Sequence, residues 1–206
     1  MTSPVSDVAF TPVVKELQTR LGSRPAYERM EATGGWSDRV TPELAKFIAT
    51  RDSFYLATAN AAGQPYMQHR GGPPGFLHVL DEHTLGFADF RGNRQYITTG
   101  NLAENDRAFL FLMDYTEQRR IKIWGRARVA MNDPDLVARL MPQGYRARPE
   151  QAILFTIEAW DANCRQHIPR LVPEAEVRET VAALESRIAD LEAQLAARVA
   201  ATGNLP

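Results

Sequence analysis

Residues 119–131, RRIKIWGRARVAM, set Ile121, Ile123, Ala127 and Val129 on one side of an extended chain and Arg120, Lys122, Arg126 and Arg128 on the other. Successive side chains of a strand point to opposite faces, so this alternation requires a β-strand with one face in a core. A lone strand has nothing to bury that face against, and the flanking text supplies partners over short connections. SFYLATA (53–59), a turn with Gly63 and Pro65, and PYMQHR read as one hairpin; FLHVL (76–80), a polar turn and TLGFAD (84–89) read as a second. AFLFLMDY (108–115) is a continuous apolar run, the pattern of a strand buried on both faces, and QAILFTIEAW (151–160) returns as a last strand. Between the hairpins, RGGPPGF must be a loop or bulged edge, because Pro73 and Pro74 lack ladder donors. The expectation is a mainly β fold with flanking helices, a small barrel of six antiparallel strands rather than an open parallel sheet.

The helices announce themselves by their starts. Thr41, Pro42 and Glu43 precede Leu44, Phe47 and Ile48, which predicts a capped helix over about 42–50; Asp133 and Pro134 do the same for one ending near Met141. Val13, Val14, Leu17 and Leu21 recur at helical intervals before Gly22. Residues 1–10 read as a loose terminus and SRPAYERMEATGGW as an irregular connector whose Tyr27, Arg29 and Trp36 serve packing or reach a ligand. Near the C-terminus Val177, Val181, Leu184, Ile188, Leu191 and Leu195 follow 4-3 spacing with charged residues between. That helix either folds back on the barrel or joins two chains through residues 177–195. The organisation expected is an N-terminal helix and connector (1–40), a barrel (41–170) and a heptad helix (174–200).

A formal net charge of -1 gives no electrostatic reason to expect nucleic acid as the partner. No run is long and apolar enough to span a bilayer, and the first residues lack a basic-then-apolar pattern, so a cytoplasmic protein is expected. The single cysteine, Cys164, cannot form an internal disulfide, and His69, His78, His83 and His167 show no metal-ligand spacing. Cys164 and His167 lie close enough in sequence to suggest a thiol–imidazole pair, although a buried, inert thiol suits the same text. Trp124 and Trp160 suit either a ligand ring or the core.

The stretch with most chemical content is TLGFADFRGNRQYITTGNL (84–102), where a strand stops at Asp89, a polar turn carries Arg91, Gly92, Asn93 and Arg94, and a short helix follows with Tyr96, Ile97 and Leu102. Free N–H groups at a helix start, the helix dipole and a guanidinium together suit a phosphate. The same turn chemistry also suits a solvated surface loop. Likewise, the basic face of residues 119–131 suits either water or an anion near Arg120 or Lys122.

Taken together, QHRGGPPGFLHVLDEHTLGF, ADFRGNRQYITTGNL, DRAFLFLMDY, RRIKIWGRARV and EAWDANCRQHIPR make the chain from about Ala26 to Arg170 similar to the pyridoxamine 5'-phosphate oxidase-like superfamily of FMN-binding split barrels, in its predicted flavin-nucleotide-binding branch. The resemblance implies a six-stranded Greek-key split barrel, a homodimer and FMN between the subunits. In the oxidases an Arg and a Lys hold the FMN phosphate; their places fall here on Asn93 and Arg94, so one cation has become an amide, and either Arg70 or another cation makes up the charge or binding is weaker. The resemblance also maps cofactor contacts onto Gln68, His69, Arg70 and Gly71, onto Ala88 and Asp89, and, from an oxidase glutamine, onto Arg120. The C-terminal arginine signature for the oxidase substrate is not found, so pyridoxamine phosphate oxidation itself is not carried over. An FMN-dependent oxidoreductase acting on a small molecule, a non-catalytic flavin store or sensor, and a barrel for haem or deazaflavin all remain open.

Overall fold

The computed structural model describes residues 3–163 and 165–202. The chain divides into two compact units, one up to Asp114 and from Arg119 to Gln166, the other from Tyr115 to Gln118 and from His167 onward.

In the first unit seven strands form one antiparallel sheet in the order β2-β1-β5-β6-β7-β4-β3. They are β1 (Ser53–Ala59), β2 (Pro65–Gly71), β3 (His78–Val79), β4 (Thr84–Phe90), β5 (Arg107–Asp114), β6 (Arg119–Ala130) and β7 (Pro149–Asn163). The count is seven, one strand at each run read from the sequence, and not the six expected of the barrel; the 76–80 run is reduced to a two-residue edge strand paired only with β4. Phe76 and Leu77, expected in that strand, are instead buried in the core ahead of it.

The sheet curls on itself. Phe54 of β1 meets Phe87 of β4 edge-on at 5.1 Å, although three strands lie between them in the sheet order. Inside the curl sits a core that includes Leu56, Leu110, Leu112, Ile121, Ile123 and Phe155. Helix α3 (Pro42–Ala49) adds Leu44, Phe47 and Ile48 to this core; Thr41 accepts from the Leu44 N–H at 3.2 Å, as the cap signal predicts. A smaller cluster of Ala88, Ala130, Leu140 and Ala152 lies under α5 (Pro134–Leu140), whose cap Asp133 accepts from Leu136 N–H at 2.9 Å.

Strand β5 departs from expectation. Ala108, Leu110 and Leu112 are buried, whereas Phe109, Phe111 and Met113 are only half-buried, so the apolar run has one face in the core and one facing outward. On the basic face of β6 two of the four cations are paired among the described residues: Lys122 lies 3.2 Å from Asp161, and Arg126 bonds Asp106 and Glu158 at 2.8 and 2.7 Å. Glu158 occupies the β6–β7 register shift at Trp124/Gly125. There the chains approach so closely that a Cβ on Gly125 would lie 2.0 Å from the Thr156 carbonyl oxygen.

The N-terminal segment is more ordered than its sequence suggests. A 3-10 turn (Val5–Val8) buries Ser6, which donates to Glu31 at 2.9 Å; α1 (Pro12–Arg20) starts at a Thr11 cap; and the expected connector contains helix α2 (Arg24–Ala32). α2 has no apolar stripe to reveal it and no residue of it is buried. It is held by Arg24, whose guanidinium bonds Glu28, Glu31 and Gln18. Trp36 stacks on Trp124 at 4.6 Å, and Trp160 donates its indole N–H to the Arg39 carbonyl at 2.7 Å, so these tryptophans serve packing.

In the second unit the 115–118 turn bonds the chain just before the last helix: Gln118 donates to the Ile168 carbonyl at 2.6 Å and Thr116 to that of Leu171 at 3.1 Å. Helix α6 (Glu174–Thr202) follows as a single 29-residue element. No helix among the described residues is long and apolar enough to cross a membrane.

Candidate functional site

Helix α4 (Ile97–Glu104) lies across the open seam of the sheet, fastened to β1 by a buried hydrogen bond from Asn101 to Thr58 at 3.0 Å and facing β2 through Thr98, which donates to Gln68 at 3.3 Å. The seam exists because β2 ends the sheet on one side and β4 carries only the two-residue β3 on the other. Two adjoining hollows occupy it, sharing Gln68, Arg70, Asp89, Phe90 and Gly92.

The polar bridge across the seam is Arg70 of β2 with Asp89 of β4, which form an ion pair with each side chain about 12% exposed. Asp89 uses its other oxygen to accept from Gln151 of β7 at 3.0 Å, and the same amide donates to Thr99 of α4 at 2.9 Å. Three strands and a helix therefore meet on one carboxylate. Arg70 Nε, however, is buried without a partner, a donor whose desolvation is uncompensated.

Beside it runs the 91–96 loop. Its left-handed residues are Arg94 (φ 60°) and Tyr96 (φ 55°), not Gly92 or Asn93. A bulky residue such as Tyr96 in this region costs on the order of 1 kcal/mol or more and recurs where ligands are clamped. Successive N–H groups in such a loop form an anion-binding concavity. Tyr96 is also the residue preceding α4 and provides no side-chain cap, so no side chain competes for the first N–H groups of that helix, whose Ile97, Thr98 and Thr99 line the hollow. Asn93 turns its oxygen to the Gln95 N–H at 3.3 Å, which leaves its amide nitrogen as a donor.

Electrostatics moderate this picture. Arg91 Nε and Arg94 Nε both lie 3.7 Å from one oxygen of Glu150. With the Arg70–Asp89 pair the seam holds three cations against two carboxylates, a small positive excess. Arg94 also donates to the Tyr96 hydroxyl at 2.8 Å; that bond, with the nearby Glu150 carboxylate, raises its pKa above an ordinary value that already keeps it cationic.

Of the residues anticipated from sequence, Gln68, Arg70, Asp89, Asn93 and Arg94 face this seam together. His69, Gly71 and Ala88 border the second hollow but belong to the opposite faces of their strands: the His69 ring is exposed against Tyr55 at 5.5 Å, and Ala88 is packed in the smaller core cluster. Arg120 lies on β6, paired across the backbone with Met113 and Asn163, and lines neither hollow. Cys164 lies outside the described residues, and His167 is exposed. Missed were Glu150 and Gln151, which the β4–β7 pairing brings from far along the chain, and Thr98 and Thr99, which the first turn of α4 presents beside the loop. Among the described residues no three His, Cys, Asp or Glu side chains are grouped to hold a metal.

No curated protein matches this chain. Among solved structures, HupZ of Group A Streptococcus is 17% identical with a TM-score of 0.50, over 65% of this chain and 99% of that one, a likeness of fold. An FMN-binding protein from Syntrophomonas wolfei is 14% identical (TM-score 0.48; 70% and 97% covered), and a putative pyridoxamine 5'-phosphate oxidase from Lactobacillus delbrueckii is 20% identical (TM-score 0.47; 61% and 95% covered). The sequence model of the pyridoxamine 5'-phosphate oxidase family matches residues 40–164, the whole curled sheet with α3, α4 and α5, and by that match the chain belongs to the pyridoxamine 5'-phosphate oxidase family.

Proposed function

We propose that the seam binds FMN and that the protein is an FMN-dependent oxidoreductase acting on a small molecule. The observation that carries this reading is the buried, unpartnered Arg70 Nε beside a left-handed loop and an uncapped helix start, a donor set that suits a phosphate monoester. Arg94, Asn93 and the 91–96 backbone would hold the phosphate, with Arg70 oriented toward it by Asp89. Gln68, whose oxygen is held by Thr98, would keep its amide N–H groups for a ring acceptor. Phe76, Phe87 and Phe90 border the second hollow and would exclude water from one side of the ligand. A bound flavin supplies hydride and electron transfer itself, so the protein need only bind, orient and shield.

A second copy of the chain would complete the site. Tyr55 and Met67 join Phe109, Phe111 and Met113 on the outward faces of neighbouring strands, and Met67 is 59% exposed. An apolar face of this kind favours association. A homodimer through it is the assembly this reading expects.

The decisive experiment is a titration with FMN and with riboflavin, followed by absorbance and fluorescence, alongside the spectrum of the freshly purified protein. FMN should bind at about one per chain and tighter than riboflavin, and a reductant such as NADPH should then bleach the bound flavin. A colourless protein that takes up no added FMN would overturn the reading; FMN binding without reduction by any donor would leave a flavin carrier in place of an enzyme.

A further inference from the structure

Helix α6 carries its apolar seam in the open. Val177, Val181, Leu184, Ile188, Leu191 and Leu195 are 46–63% exposed along one 4-3 stripe of a helix rich in charged residues. Few soluble proteins leave so long a stripe uncovered, and its spacing is that of a coiled-coil seam. We infer that α6 pairs with α6 of a second copy as a parallel, in-register two-stranded coiled coil.

The residue types select both the partner and its direction. Heptad positions a hold Val181, Ile188 and Leu195, and positions d hold Val177, Leu184 and Leu191. β-Branched residues in a layers with leucine in d layers favour two parallel strands, and the four central layers follow that rule while the end layers, Val177 and Leu195, do not. The flanking charges agree. In the parallel register Arg187 at g faces Glu192 at e of the next heptad on the partner, once on each side, while Thr180 and Gln194 at the other g positions oppose no like charge. Turned antiparallel with all six seam residues matched, Glu185 meets its own copy and Arg187 meets its own copy across the seam, two like-charge contacts that offset the two Arg178–Glu192 attractions of that alignment, so only the parallel register keeps a net gain. Charge complementarity thus selects a second copy of this chain in one orientation. Three heptads give a modest interface alone, but two helices already carried by associated chains meet at high effective concentration.

Disulfide trapping in the full chain tests this, with Cys164→Ser as background so that an introduced thiol is the sole one. Under mild oxidation Leu184→Cys, at a d position, should form a covalent dimer at least about tenfold faster than Ser186→Cys on the outer face of the same helix. Adding Arg187→Glu should slow the Leu184→Cys reaction several-fold, and adding Glu192→Arg to that variant should restore it. Equal rates at Leu184 and Ser186 would overturn the coiled coil. Trapping that appears only when Leu184→Cys and Ile188→Cys chains are mixed would overturn the parallel orientation.

Discussion

Replacing Asp89 with Asn keeps the shape of the seam and removes one charge, which makes it the most informative single change. The carboxylate accepts from Arg70 on one oxygen and from Gln151 on the other, and both ion-pair side chains are about 12% exposed. Asn offers one acceptor oxygen, so in either orientation its NH2 opposes a donor, and Arg70 is left buried without a countercharge. Breaking a buried pair from one side costs about 3–5 kcal/mol. Water reaches this pair through the hollows, so the lower end applies, about 3 kcal/mol, or roughly 6–12 °C in Tm for a chain of this size. The same release should free Arg70 for a phosphate, so Asp89→Asn should bind FMN more tightly than the parent and regain more stability on adding it. Asp114→Asn is the control: Asp114 pairs with Arg51 at 2.7 Å with similar burial, away from the seam, and its loss should destabilise without rescue by FMN. Thermal melts of the three proteins with and without FMN give both destabilisations and the FMN gain of each protein. A variant melting within 1 °C of the parent, or one that binds FMN less tightly than the parent, would refute the argument.

Other consequences are quickly checked. Arg94→Ala should weaken FMN on the order of tenfold while leaving riboflavin affinity unchanged, as expected for loss of a charge-assisted phosphate contact; equal losses for both ligands would remove Arg94 from the phosphate site. Glu150→Gln should act oppositely, tightening FMN by releasing Arg91 and Arg94 from a competing carboxylate, and an unchanged titration would show that Glu150 does not compete. Gly125→Ala should cost about 3 kcal/mol or more, since the new Cβ would meet backbone rather than a movable side chain, and a near-normal urea midpoint would contradict the close approach. Burial alone would push the Glu31 carboxyl up, but hydrogen bonds from Arg24 and Ser6 and the charges of Arg24 and Lys15 hold it below its ordinary value. A depressed carboxylate contributes stability that is complete above the ordinary range and lost as pH falls through the lower folded value. Stability should therefore fall on acidification below about pH 4, and Glu31→Gln should shrink that slope.

What the sequence showed depended on whether the signal was local. Caps are local: Thr41 and Asp133 each accept from the third residue onward, as their types and the following prolines predict, and Thr11, read past in the sequence, does the same. Strand alternation is local too, and the β6 pattern appears in its burial from Arg120 to Arg128, slipping only at Val129, which is half-buried, and Ala130, which is buried. Helix α2 was hidden because ion pairs rather than an apolar stripe fix it, and ion pairs at seven-residue spacing leave no periodic trace. β5 misled for a related reason, since apolar residues on both faces look alike whether the second face meets the same chain or points outward. The RGNR turn was legible as a turn, but not that Arg94 and Tyr96 would carry its left-handed backbone while the glycine did not. The seam network was beyond local reading altogether: Gln151 lies 62 residues from Asp89 and 52 from Thr99, and only the β4–β7 pairing brings them together.

That network also explains why the site lies where it does. A sheet that closed fully would pair its edge strands through backbone hydrogen bonds and bury apolar side chains beneath them. Here β2 and β4 are joined by side chains alone, Arg70 to Asp89, with Gln151 and Thr99 extending the contact to β7 and α4. Side-chain closure leaves space between strands and leaves charge at the space, and both are what an anionic ligand needs. The same guanidinium then serves two partners, the carboxylate that closes the barrel and the anion that would enter it. If FMN enters as proposed, ligand affinity and barrel stability would be thermodynamically linked through Arg70: any change that weakens its hold on Asp89 would lower the stability of the empty protein and raise the stability gained on binding.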